Sequence, residues 1–314
     1  MNKFLKRTLV FIIILSMVVS IISVFYSQIK NNYLSNSNFI INKDINTLIL
    51  GDSHSEATFN DKIIPNSINF AFSAEHYLFT YFKLKKIIKS NSNIDKIVLS
   101  FAPHNISKNA DDVIFSDTRN SRSFARYFML LNKESIMECK SNSQNWKINY
   151  LKWKFNIPFQ LKLESKLIYK VLTSKKISIK DFPFIGKFYK STRHTLNNDD
   201  KEILHHYYNN NSISKKSNLN IKYLNKIVDL AIKNNLKLYL INTPQFRFYR
   251  ENIPLYFKKE YKILSNKLKQ KNSNLIKIID LSKINLNDTC YGDLHHVNYY
   301  GATVVSNKII DIIN

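Results

Sequence analysis

Short apolar runs alternate with amphipathic stretches over most of the chain. The apolar runs have the length of buried strands and cover 46–50, 67–72, 96–101, 237–242 and 275–281. The stretches between or after them space their apolar side chains as a helix does, at 75–89, 219–235, 255–271 and 300–313. Apolar strands separated by helices are typical of a parallel sheet that is covered on both faces. The pattern therefore predicts an α/β fold with a doubly wound, mainly parallel five-stranded sheet, a flavodoxin-like three-layer α/β/α arrangement.

A long insertion separates the third and fourth predicted strands, at about 106–218. It is rich in aromatic residues and lysine, and helical patterns at 124–139 and 150–172 precede a polar run at 197–218. We interpret it as a helical cap within the same domain. Trp146 and Trp153 are seven residues apart and would share one helix face, either packed against the sheet or exposed as a platform for stacking sugars.

The N-terminal region contains an uncharged stretch of nineteen residues, 8–26, directly after Lys3, Lys6 and Arg7. At 1.5 Å per residue, such a helix can cross a hydrocarbon core of about 30 Å. The preceding bases favour a cytoplasmic N-terminus. A cleaved signal peptide remains the alternative, although no convincing cleavage site follows Tyr26.

This topology divides the chain into four parts. We expect a cytoplasmic N-terminus at 1–7, a transmembrane signal anchor at 8–27, a polar tether at 28–44 and an extracytoplasmic domain at 45–314 that carries the insertion. A single-pass membrane protein with its folded domain in the periplasm or at the cell surface is the prediction.

The composition excludes several classes of protein. With 44% apolar residues the chain can fill a core, so wholesale disorder is excluded. The net charge of +24 arises from 47 Lys and Arg against 23 Asp and Glu, but the bases are mostly lysines scattered along the chain. A nucleic-acid groove would be clustered and richer in arginine, so no nucleic-acid partner is expected.

Cysteine and zinc-site patterns give little support to cofactor chemistry. Cys139 and Cys290 are the only cysteines, and they are compatible with a disulfide or, as we favour, with two free thiols. The sequence has no C-x-x-C or H-E-x-x-H spacing, so we predict neither a metal site nor a cofactor.

The first chemical motif follows the first predicted strand as Gly51-Asp52-Ser53-His54-Ser55. Ligands of parallel sheets bind outside the carboxyl ends of the strands. Ser53 would present its hydroxyl there, at a helix N-terminus whose amides and dipole suit a developing oxyanion. An ordinary N-cap serine is the alternative.

The second motif lies between the fifth strand and the last helix, where Asp293 precedes His296 by three residues. A carboxylate at that spacing can bond Nδ1 of the imidazole, which leaves Nε2 free to take a proton from a serine. His295 fits this role less well because it is only two residues from Asp293. Both motifs lie at carboxyl ends of strands in one sheet and should face one crevice.

Together the two motifs resemble the SGNH/GDSL hydrolase superfamily. The ending from His296 through Asn298 to Gly301 and Ala302 looks like the membrane-anchored branches that modify envelope polymers, such as alginate O-acetylation and teichoic-acid D-alanylation proteins. The likeness covers roughly 45–105 and 219–314. It implies Ser53 as the nucleophile, His296 as the general base and Asp293 as its orienting carboxylate.

The resemblance also implies an oxyanion hole, and here the sequence departs from the family pattern. The Ser53 N–H is one donor; the usual glycine after the second strand is absent, so a backbone N–H of Ala71 or Ser73 would have to replace it. After the third strand, Asn105 is the candidate side-chain donor, with a turn-forming asparagine as the alternative.

Neighbouring residues complete the predicted site. His54 and His104 stand beside the crevice and are candidate substrate-binding residues. Asp52 should be structural, accepting hydrogen bonds from loop N–H groups.

The expected activity is that of a serine esterase or acyltransferase acting on acyl, chiefly acetyl, groups of a cell-surface polysaccharide. The expected partners are this glycan, the bilayer through the N-terminal helix and a membrane acyl-transfer protein. The alternative is an inactive protein of the same fold that binds glycan during polysaccharide assembly or export. A basic module that docks on anionic lipid would rest on the net charge alone.

Overall fold

The structure, a computed structural model, describes residues 3–115, 126–142, 157–197 and 199–313. Its strands are β1 (Thr47–Leu50), β2 (Ser67–Asn69), β3 (Lys96–Ser100), β4 (Tyr208–Asn209), β5 (Ser212–Ile213), β6 (Lys237–Asn242) and β7 (Ile276–Asp280). Five of them form one sheet in the order β2-β1-β3-β6-β7, and every neighbouring pair in it is parallel. The predicted fold class is confirmed.

Eleven α-helices are present among the described residues. They are α1 (Lys3–Tyr33), α2 (Ser53–Thr58), α3 (Tyr77–Ile88), α4 (Asn109–Phe115), α5 (Lys133–Asn142), α6 (Ile157–Leu172), α7 (Lys201–Tyr207), α8 (Asn218–Lys233), α9 (Arg247–Asn252), α10 (Leu255–Lys271) and α11 (Tyr299–Ile313). The predicted core helices and strands agree with these bounds to within a few residues.

The inner strands β1, β3 and β6 are largely apolar because both faces of the sheet are covered there. In β1, Leu48 and Leu50 enter the larger core, whereas Ile49 enters a second core on the opposite face. Helices α3 and α8 pack together over the first face, and α11 packs with α2 over the second. This alternation produces the continuous apolar runs that the sequence displays.

The insertion is helical but differs in detail from the prediction. In the region where one helix is expected, 124–139, Arg126 and Tyr127 are helical, a short 3₁₀ turn follows at Phe128–Leu130 and α5 begins at Lys133. Helix α6 occupies the described part of the second predicted region. Helix α7 and the antiparallel hairpin β4–β5 lie in the stretch that was expected to be merely polar. Trp146 and Trp153 lie outside the described residues.

Two sequence features can be located directly. The segment Lys3–Ile22 of α1 is long and apolar enough to cross a membrane, and none of it is buried against the rest of the chain; a membrane anchor and a signal sequence both fit. Cys139, which is buried, and Cys290, which is half-buried, are both free thiols.

Candidate active site

Ser53 is placed by a sharp turn between β1 and α2. Gly51 has a φ of +117°, and a β-carbon there would collide with Ser100 Oγ, so only glycine suits the position. Asp52 caps α2 by accepting the His54 N–H at 3.0 Å. The turn leaves Ser53 as the first residue of the helix, at the carboxyl edge of the sheet.

The side chains of Ser53, His296 and Asp293 lie together at this edge of the sheet. Nε2 of His296 lies 2.8 Å from Ser53 Oγ, and Nδ1 of the same ring lies 3.0 Å from Asp293 Oδ2. Asp293 Oδ1 accepts the backbone N–H groups of His295 and His296 at 3.0 and 2.8 Å, which fixes the carboxylate. The arrangement is the hydrogen-bonded serine–histidine–carboxylate chain that nucleophilic catalysis uses.

The electrostatic environment of His296 suits it to accept a proton from Ser53. Burial alone would lower the pKa of His296, but the hydrogen bond and the negative charge of Asp293 outweigh it and raise that pKa above 6.5. Burial would raise the pKa of Asp293, yet the His296 hydrogen bond and the adjacent imidazoles hold it well below its usual range. Asp293 is therefore ionised whenever His296 is a neutral acceptor.

His295 occupies a different environment, although it is the neighbour of His296 in sequence. Its Nδ1 lies 3.3 Å from Asp293 Oδ1, and its ring packs on Tyr249 with centroids 5.4 Å apart. Ser53 is bonded to His296, in agreement with the geometry that the D-x-x-H spacing implies.

Asp52 is the centre of a buried network at the ends of β1 and β3. Besides the His54 N–H, it accepts hydrogen bonds from Ser100 Oγ at 2.8 Å, His104 Nε2 at 3.0 Å and Asn105 Nδ2 at 2.7 Å. Burial would raise its pKa, but these donors and the nearby imidazoles lower it well below 3.8. Asp52 thus joins the turn that carries Ser53 to the loop after β3.

Ala71, one of the two backbone donors predicted for the oxyanion hole, uses its N–H elsewhere. The Ala71 N–H donates to Asn69 Oδ1 at 2.9 Å in a fully buried position, so it points to its own strand end and not to the cavity. The Ser73 hydroxyl, beside Ser53 in the same cavity, is hydrogen-bonded to Glu56. The Asn69 amide, also bonded to Ser55 O and Phe59 O, is what redirects Ala71.

Asn105 does reach the site. Its Oδ1 accepts the Ala102 N–H at 2.8 Å, which turns Nδ2 towards Asp52, and its side chain lines the same cavity as Ser53. The amide carries two hydrogens and Asp52 engages one of them, so the second remains as a donor.

Two cavities open beside Ser53. The larger, of about 350 Å³, is lined by Ser53, His54, His104, Asn105 and His296. The smaller, of about 140 Å³, shares Ser53 and His296. His54 Nδ1 lies 2.9 Å from Thr243 Oγ1, and burial followed by the nearby His104 lowers the pKa of His54 well below 6.5, so this ring is neutral.

The larger cavity also receives residues that sequence reasoning missed. Glu202, His205 and His206 reach it from α7, and His295 reaches it from the loop before α11. The i, i+4 spacing of Glu202 and His206 is a signal for two side chains on one helix face, but it lies in a stretch with no apolar periodicity.

Comparison with protein-family models gives a match to the C-terminal part of the chain. A protein-family model matches residues 194–314, which include Asp293 and His296 but not Ser53. None of the curated proteins matches the chain.

Two solved structures resemble the fold. One is described as that of a candidate platelet activating factor from Streptococcus pneumonia, with 10% identity, a TM-score of 0.42 and coverage of 95% of this chain and 99% of the other. The other is a GDSL-like lipase from Bacteroides thetaiotaomicron, with 9% identity, a TM-score of 0.37 and coverage of 91% and 98%. The function proposed below rests on the geometry of the site itself.

Proposed function

We propose that this protein is a serine esterase or acyltransferase of the SGNH type, with Ser53 as nucleophile, His296 as general base and Asp293 as the orienting carboxylate. The observation that carries the proposal is the continuous hydrogen-bonded chain from Ser53 Oγ through His296 to Asp293, at 2.8 and 3.0 Å, beside a cavity at the carboxyl edge of a parallel sheet. An N-cap serine needs no such partner.

The geometry supports a two-step acyl transfer. Ser53 Oγ attacks the carbonyl carbon of the bound ester while its proton passes to His296 Nε2, and the departing alcohol then takes that proton. In the second step, water or a sugar hydroxyl gives its proton to His296 Nε2 and attacks the acyl carbon. The bond to Ser53 Oγ then breaks as His296 returns the proton to that oxygen. The negatively charged carbonyl oxygen would be bound by the Ser53 N–H and by Asn105 Nδ2.

The substrate we propose is an acyl group, chiefly acetyl, on a cell-surface polysaccharide. The apolar segment of α1 supports a position at the membrane, and the lysines and arginine before it favour an extracytoplasmic domain. There the accessible esters are those of envelope polymers. His54 and His104, which line the larger cavity, would contact the sugar.

A covalent probe tests the nucleophile. The full chain in detergent, treated with a fluorophosphonate, should be labelled at Ser53, and Ser53→Ala should abolish labelling. Ser73→Ala is the matched control because this hydroxyl lines the same cavity but is bonded to Glu56. Equal labelling of wild type and Ser53→Ala would contradict the proposal.

A second candidate is an inactive glycan-binding protein of the same fold. The engagement of the Ala71 N–H by Asn69 and of Asn105 by Asp52 favours it, because both reduce the oxyanion hole. Absence of labelling combined with retained glycan binding by wild type would support this alternative.

Reporter fusions test the topology. Alkaline phosphatase joined after residue 45 should be active and a cytosolic reporter at the same position should be silent. The opposite pattern would place the domain in the cytoplasm and remove the argument for an envelope substrate.

A further inference from the structure

The larger cavity beside Ser53 lacks the positively charged side chains that dominate the rest of this protein. Although the chain contains 47 Lys and Arg, none of them is among the described residues that line this cavity. Its lining includes the carboxylates of Asp52, Glu75 and Glu202 together with seven histidines. Neutral imidazoles offer lone pairs and carboxylates offer charge, so the cavity is suited to a cation.

Glu202, His206 and His295 form a group of such donors that contains none of the proposed catalytic residues. One donor atom from each lies within 4.8 Å of the other two. Donors bound tetrahedrally to Zn²⁺ at 2.0–2.1 Å are about 3.3 Å apart, so movements on the order of 1 Å would close the site. Glu202 and His206 are four residues apart on α7 and project from one face of it.

The two histidines of this group differ in what their ring nitrogens contact. Nδ1 of His206 lies 2.6 Å from the Tyr249 hydroxyl, which leaves Nε2 of that ring for a ligand. Metal-binding histidines are commonly held in this way through their second ring nitrogen. Nδ1 of His295 is buried and has no hydrogen-bond partner among the described residues, although Asp293 Oδ1 lies 3.3 Å from it. No hydrogen bond or ion pair occupies the Glu202 carboxylate in the described part of the chain.

We infer that Glu202, His206 and His295 bind a divalent transition metal ion, with Zn²⁺ as the best match to two imidazoles and one carboxylate. A three-ligand site of this kind leaves one coordination position open. That position would face the cavity that Ser53 also lines, where it could hold water or an oxygen atom of a bound sugar.

Metal binding can be measured independently of esterase activity. The full chain without a polyhistidine tag, freed of metal by a chelator, is titrated with Zn²⁺ by calorimetry and with Co²⁺ by visible absorption. The Ser53→Ala variant is used, so that loss of the proposed catalysis cannot affect the result. We expect saturation at one ion per chain and the intense d–d bands of four-coordinate Co²⁺.

Variants locate the ion. Glu202→Gln and His206→Asn should each weaken Zn²⁺ binding about tenfold or more, while His205→Asn, an exposed neighbour on the same helix, should bind as the parent does. Thermal melting without metal shows that each variant folds. No saturable binding, or binding that both Glu202→Gln and His206→Asn leave intact, would overturn the assignment.

One competing site needs its own control. His54, His295 and His296 also bring donor atoms within 4.8 Å of one another. If His54→Asn abolishes Zn²⁺ binding and Glu202→Gln does not, the ion occupies that group and the proposed site is wrong.

Discussion

The substitution Asp293→Asn isolates the role that we propose for the carboxylate. Asp293 Oδ1 accepts the N–H groups of His295 and His296, at 3.0 and 2.8 Å, and both carboxylate oxygens lie near His296 Nδ1, Oδ1 at 3.1 Å and Oδ2 at 3.0 Å. An asparagine keeps both backbone bonds only if its oxygen takes the Oδ1 position. Its NH₂ group must then face His296 Nδ1.

The consequence is a change of tautomer. Nδ1 would accept a hydrogen bond, so the proton of the neutral ring moves to Nε2, and Nε2 can no longer take the proton of Ser53. In a serine–histidine–aspartate enzyme the same replacement lowers kcat about 10⁴-fold, which corresponds to about 5.5 kcal/mol of transition-state stabilisation. We expect a loss of this size here, with little change in folding stability because the two backbone bonds remain.

The assay compares kcat/KM for p-nitrophenyl acetate and the rate of fluorophosphonate labelling in wild type and Asp293→Asn. Asp288→Asn, an exposed carboxylate in the same loop, is the control and should match wild type. Ser53→Ala and His296→Ala should each lose nearly the whole acceleration, and the double variant should lose no more, since residues that act as a unit are not additive. An Asp293→Asn enzyme within tenfold of wild type would refute the tautomer argument.

Three further predictions concern the pH dependence of the reaction, the oxyanion hole and the packing around Gly186. Because neutral His296 must accept the proton and its pKa is raised above 6.5, kcat/KM in metal-free buffer should rise with pH through a midpoint above 6.5; a midpoint below that value would contradict the role of Asp293. Asn105→Ala should lower kcat about 10²–10³-fold if Nδ2 binds the oxyanion, and an unchanged kcat in a folded variant would exclude it. Gly186→Ala should destabilise the fold by about 1–3 kcal/mol or more in urea titrations, because the new β-carbon would overlap the Ala71 carbonyl oxygen. Gly292→Ala is the control, since the nearest atom to its new β-carbon would be 3.5 Å away. Equal stability of the two variants would show that the contact at Gly186 relaxes.

The central sheet could be predicted from the pattern of apolar residues. The inner strands β1, β3 and β6 are buried on both faces, so most of their residues are apolar, and that requirement is visible as a run at 47–50 or 237–242 without knowledge of its neighbours. The meeting of Ser53 and His296 could also be predicted, because the topology of a parallel sheet brings the carboxyl ends of its strands to one edge.

The hydrogen bonds that side chains from distant segments form at that edge depend on the tertiary fold. Nothing local in the sequence shows that Asn69 takes the Ala71 N–H, or that Asn105 is held against Asp52. These outcomes depend on which donors and acceptors the fold leaves without another partner, and buried polar groups must find one.

The approach of α7 to the site is the clearest case. Glu202 and His206 lie in a polar stretch of the insertion, and their meeting with His295 depends on the path of the chain between β3 and β6. Apolar periodicity records which face of an element is buried, but it does not record which polar residues a surface segment carries into a cavity. For that reason the sequence predicted the sheet and its two motifs, and the histidine-rich side of the cavity came from the structure alone.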